Sequence, residues 1–188
     1  PFDEGYRPLF VALLAGLTAL GCKPRCVLEV PSGGEGRLDR IYGLISSCGA
    51  SIHDLSRVAR SGSFRVPRFN MPFELGLAYS IARRQAHRFF ILEERTFRLQ
   101  ASLSDLNGHD PHIHEGRQDG VLRCVLDCFG TQGGQPSFLV LKEMTRKLGR
   151  AIAIFEREQA VTHPFHPYIF RQAVEAAGQL ARAEGLIA

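Results

Sequence analysis

The 188 residues are 45% hydrophobic and 22% charged, with 23 Lys plus Arg against 19 Asp plus Glu and a formal net charge of +4. Such proportions exclude a disordered or fibrous chain and suit one α/β domain with a helical appendage. The basic excess is Arg scattered along the chain with no basic run, which leaves no nucleic-acid footprint but is compatible with a small anionic ligand. No apolar run approaches the roughly 20 residues of a membrane-spanning helix, and no signal-peptide pattern opens the chain. The five cysteines, Cys22, Cys26, Cys48, Cys124 and Cys128, are odd in number and form no compact framework, which argues for reduced thiols in a cytoplasmic protein.

Apolar residues at Leu9, Phe10, Leu13, Leu14, Leu17 and Leu20 predict a helix over 7–20, with Pro8 in its first turn and Gly21 as its stop. Cys26 to Leu28 is expected as a short buried strand. After the loop PSGGEG, Leu38, Ile41, Tyr42 and Ile45 predict a helix over 37–47. The segment ASIHD, 50–54, predicts a strand ending in polar residues, and 55–69 is loop-like. Asn70 is expected to cap a helix with Pro72 in its first turn and Leu75, Ala78, Ile81 and Ala82 on its buried side.

HRFFIL, 87–92, is the next expected strand, followed by a helical piece over 98–106 and the segment NGHDPHIHEG. A helix over 120–129, carrying Cys124 and Cys128 as packing residues, leads to the linker GTQGGQPS. Two helices, 138–160 and 167–187, are expected to form a hairpin. The alternation of strand and helix implies a parallel sheet covered on both faces. No hydrophobic strand precedes PFDEGYRP, so a first strand is expected to be missing from the chain.

Chemistry is suggested chiefly by Asp54 at the end of a strand and by Glu74 near the start of the following helix. In open parallel sheets ligands bind outside the carboxyl ends of the strands, and both acids are expected to project there. A helix N-terminus adds free amides for an anion, and Gly76 permits close approach. The bland alternative is that Glu74 complements the helix dipole and Asp54 caps a loop. His109, Asp110, His112 and His114 lie too close together to wrap one tetrahedral ion, so no metal is expected; they read as neutral loop histidines or a pocket wall. Asp105 and Asn107 nearby are candidate base or sugar contacts, or the chemistry of a helix end. His163, His166 and Tyr168 are assigned no function.

The segments PFDEGYRPLF, IHDLSR, PRFNMPFELGLA and ILEERTFRLQASLSDLNGHDPHIHEG resemble a widespread bacterial family of uncharacterised proteins with a TIR-like, flavodoxin-type fold. That family is similar in turn to nucleoside 2-deoxyribosyltransferases and TIR NAD-cleaving domains. The resemblance covers residues 1 to about 130 and implies an α/β domain there; the linker at 131–137 and the helical hairpin at 138–188, expected from the residues themselves, lie outside it. It implies a flavodoxin-like three-layer sheet with helices on both faces. By the same resemblance Glu74 is the catalytic carboxylate and Asp54 its partner, binding ribose hydroxyls or holding Glu74. Phe2 is expected to stack on a base, with Asp3 and Asn70 as further ligand contacts. Where the transferases carry another acid before the catalytic helix, this chain has Arg65 and Arg68, which could meet a phosphate. The function implied is cleavage or transfer at the N-glycosidic bond of a nucleoside or nucleotide, with no cofactor and an oligomer compatible. A nucleotide-binding sensor without turnover and a bare interaction scaffold stand as the alternatives.

Overall fold

The computed structural model describes residues 3–29, 34–58, 67–130, 135–161 and 165–188. In chain order its elements are α1 (Arg7–Ala19), α2 (Arg37–Ser47), β1 (Ala50–Asp54), α3 (Asn70–Ala82), β2 (Arg88–Glu93), α4 (Arg98–Ser102), β3 (His112–Ile113), α5 (Gln118–Phe129), α6 (Phe138–Glu158) and α7 (Pro167–Ala183). Short 3-10 turns lie at Glu4–Tyr6, Val27–Glu29 and Ser104–Leu106. The protein is mixed α/β, and its contacts divide it into one unit over 32–116 and another combining 2–31 with 117–188.

The first unit holds a three-stranded parallel sheet in the order β1-β2-β3. Strand β1 pairs along its whole length with β2, from Ala50 opposite Arg88 to Asp54 opposite Leu92. Strand β3 adds only Leu92 opposite His112 and Glu93 opposite Ile113. Leu55, Leu75, Ile91 and Leu99 form the buried cluster of this unit, with Phe89 and Met71 packed against it. Parallel pairing of β1 and β2 needs a crossover between them, and α3 supplies it, burying Leu75, Ala78 and Ile81. α3 begins one residue earlier than the expected cap would place it. Asn70 is its first helical residue, and Phe69 occupies the cap with no side-chain hydrogen bond. Glu74 therefore lies beyond the first turn, out of the best range of the helix dipole.

The second unit is helical. α1 contributes Leu9, Ala12, Leu14, Ala15 and Ala19 to a core completed by Val121, Leu122 and Val125 of α5, Leu141, Met144, Leu148 and Ile152 of α6, and Ile169, Phe170, Ala173 and Ala177 of α7. Small residues let α1 approach closely: a Cβ added at Gly16 would stand 3.2 Å from Val125 and 3.3 Å from Leu122. The turn after α1 is closed at Gly21, whose φ of 75° suits glycine, with Cys22 N donating to Leu17 O. Cys124 and Cys128 are buried on α5, as packing residues should be. α6 and α7 thus share one core with α1 and α5.

Two expectations fail locally. Cys26 to Leu28 is not a strand: Val27–Glu29 is a 3-10 turn in which Glu29 N donates to Cys26 O. Three apolar residues fit a turn as readily as a strand, and here Cys26 and Leu28 meet the helical core by turning. Conversely, the segment read as loop at His112 and Ile113 adds the third strand. Among the described residues no helix is long and apolar enough to cross a membrane.

Candidate functional site

The carboxyl ends of the three strands carry a buried polar network within the first unit. Asp54 closes β1, Glu93 closes β2 and His114 follows β3, and they are 3%, 1% and 0% exposed. Asp54 Oδ1 accepts from Ser56 N at 2.9 Å. His114 Nε2 lies 3.4 Å from Asp54 Oδ1 and 3.3 Å from Oδ2. Because His114 Nδ1 accepts the Gly116 N–H at 3.0 Å, the ring proton sits on Nε2 and points at the Asp54 carboxylate. The turn that makes this possible holds Glu115 and Gly116 at φ of 54° and 67°.

Glu93 forms the other half. Its Oε1 accepts from Glu94 N at 2.7 Å and from Arg98 Nη1 at 3.3 Å. The same Arg98 nitrogen donates to Ser56 O at 3.2 Å, tying the loop after β1 to the end of β2. Burial raises the Glu93 pKa above the usual carboxylate range; the Glu94 amide and Arg98 pull it down, and the charge of Asp54 pushes it up. Two buried acids therefore sense one another where a parallel sheet binds its ligands. Phe97, just ahead of α4, has a φ of 62° while being 79% exposed, a conformation that costs free energy for a residue with a side chain.

Glu74 is half-buried on α3, and its carboxyl accepts no hydrogen bond from the described residues. Burial raises its pKa, with Arg37 among the charges opposing the rise. Phe69 and Phe73, one helical turn apart beside it, are 66% and 55% exposed. No hydrogen bond joins Glu74 to Asp54 among the described residues; the acid that senses Asp54 is Glu93.

The other expected site residues scatter. Arg68 and Asn70 are exposed ahead of and at the start of α3, and Asp105 and Asn107 are exposed around the Ser104–Leu106 turn. Asp3 lies in the second unit, where its carboxylate accepts from Tyr6 N at 3.0 Å. Phe2 and Arg65 lie outside the described residues. Glu93 and Arg98 went unread in the sequence because the pairing of β1 with β2 brings them to Asp54; Ser56 lay in a segment read as loop, and His114, read as a loop histidine or pocket wall, reaches Asp54 only through the pairing of β2 with β3. The histidine alternation His112-Ile113-His114 was the one available signal, since strand geometry sends such residues to one face.

A second polar group lines the start of β1. His87 Nδ1 donates to Cys48 O at 2.8 Å, so His87 Nε2 accepts from Ser51 Oγ at 2.8 Å. Ser51 Oγ then accepts from His53 Nε2 at 2.9 Å. His53 is buried and neutral, its pKa lowered to about 4 by burial and by His87. Among the described residues no group of three or more His, Cys, Asp or Glu is placed to hold a metal ion. No family model, curated protein or solved structure matches the chain.

Proposed function

We propose that this chain binds a nucleoside or nucleotide, NAD included, and cleaves or transfers its N-glycosidic bond with Glu74 as the catalytic carboxylate. The observation that carries this reading is the half-buried Glu74 carboxyl near the start of α3, raised in pKa and bonded to no described residue. Breaking the glycosidic bond builds positive charge on the sugar, and a nearby carboxylate stabilises or attacks that centre. In this reading the three strands and their helices belong to a flavodoxin-like sheet, and the molecule works in the cytoplasm. Asp54, already held by Ser56 and His114, orders the strand end on which the sugar rests. Arg68 and Asn70 are the proposed phosphate contacts at the start of α3, joined by Arg65; Asp105 and Asn107 remain proposed contacts to base or sugar.

The test is release of free base from NAD and from a panel of nucleosides and nucleotides, followed by chromatography. Glu74→Gln should lower the rate by about 100-fold or more, the usual cost of losing a transition-state charge partner. Full activity in that variant would remove Glu74 from the chemistry. A second reading, a nucleotide sensor without turnover, is favoured by the buried Asp54 and Glu93, each already held by hydrogen bonds from other groups of the protein. Tight nucleotide binding with no base released over hours would select it.

A further inference from the structure

One hydroxyl at the strand ends has no partner among the described residues. Ser56 is 5% exposed, and its Oγ makes no hydrogen bond with any of them. Its backbone is fixed on both sides, the N–H by Asp54 Oδ1 and the C=O by Arg98. A buried hydroxyl without a partner has lost its hydration and gained nothing in return, and native structures rarely keep such a group without a ligand or an ordered water. Ser56 Oγ therefore holds an unused donor and acceptor on a backbone tied to Asp54 and to the Arg98 that also serves Glu93.

We propose that Ser56, with Glu93 beside it, is a subsite for a hydroxyl of a ligand's sugar. The inference rests on the nucleoside reading of the site and adds the part of the ligand that these strand ends hold. Charge selects the chemistry. A phosphate is excluded by the two adjacent acids, Asp54 and Glu93. An ammonium group would have to compete with Arg98, which already serves the Glu93 carboxyl. A neutral hydroxyl both donates and accepts, and so matches Ser56 Oγ and a carboxyl held toward its protonated form. His114 contributes nothing further, because both of its ring nitrogens are occupied.

The experiment compares adenosine with 2′,3′-dideoxyadenosine as probes, by calorimetry, on the wild-type chain and on Ser56→Ala. The wild type should prefer adenosine by about tenfold, the value of one good hydrogen bond. Ser56→Ala should erase most of that preference while leaving the melting temperature unchanged, since the hydroxyl has no partner among the described residues. A preference that survives the substitution, or a fall in melting temperature showing that the hydroxyl serves the fold, overturns the proposal. D-ribose, titrated alone and followed by NMR, separates this inference from the reading beneath it. A Ser56-dependent response to ribose without adenosine binding would sink the nucleoside reading and keep the subsite. No response to any hydroxylated probe would sink the subsite, with an internal water as the partner of Ser56.

Discussion

His53 shows how much one buried side chain decides. It is neutral because burial and His87 lower its pKa from 6.5 to about 4. A depressed value in the folded state means that acid protonates the unfolded chain first. The stability it preserves is therefore complete above pH 6.5 and is lost as pH falls toward 4. At 1.36 kcal/mol for each unit, the loss across that window is about 3 kcal/mol. Urea unfolding at pH 7 and pH 4 should show a smaller loss in His53→Gln, whose amide still donates to Ser51 without titrating. Equal losses in both proteins would mean that His53 is not the group responsible. Glu74 and Glu93 act in the opposite sense, because their raised values favour the protonated fold and cost stability as pH rises. If ionised Glu74 is the working form, base release should fail on the acid side at a pH above the ordinary carboxylate range. A pH–rate profile with its acid limb at or below pH 4.5 would speak against that role.

At the scale of elements, helices were the legible part. The apolar spacing of α1 and α2 and the small-residue face of α7 repeat at helical period, and their ranges follow from it. β1 and β2 are also plain, β2 as a short apolar run and β1 as a short segment around Ile52 ending in polar residues. β3 was hidden because two residues carry no period, and its strand character comes only from Leu92 and Glu93 alongside. The approach of α1 to α5 at Gly16 makes a prediction of its own. Gly16→Ala should change stability by under about 1 kcal/mol, since better helix propensity offsets the crowding. Gly16→Leu should cost about 2 kcal/mol by overpacking against Val125 and Leu122, and Val125→Ala should restore part of it. Chemical denaturation of the two single variants and the double variant checks this; strict additivity would place the clash elsewhere.

For the whole molecule, sequence carried the fold class but not the grouping of its pieces. Residues 2–31 and 117–188 join across the intervening sheet-bearing segment because Ala12, Ala15 and Ala19 fit against helices more than a hundred residues away. No local pattern announces such a partner. The candidate site was legible to the same degree: Asp54 and Glu74 stand out from position alone, whereas Glu93 with Arg98, and His114, reach Asp54 and Ser56 only through the parallel register. A site assembled from three strand ends would be expected to hold one small polar ligand at the edge of the sheet.

The most direct measurement is base release from NAD and the nucleoside panel by the wild-type chain and Glu74→Gln side by side, each first shown to be folded by its melting curve. Free base from the wild type, reduced about 100-fold in the variant at an unchanged melting temperature, is the predicted result. Equal release by both proteins, or none from the wild type with every candidate, would contradict a glycosidic-bond enzyme built on Glu74.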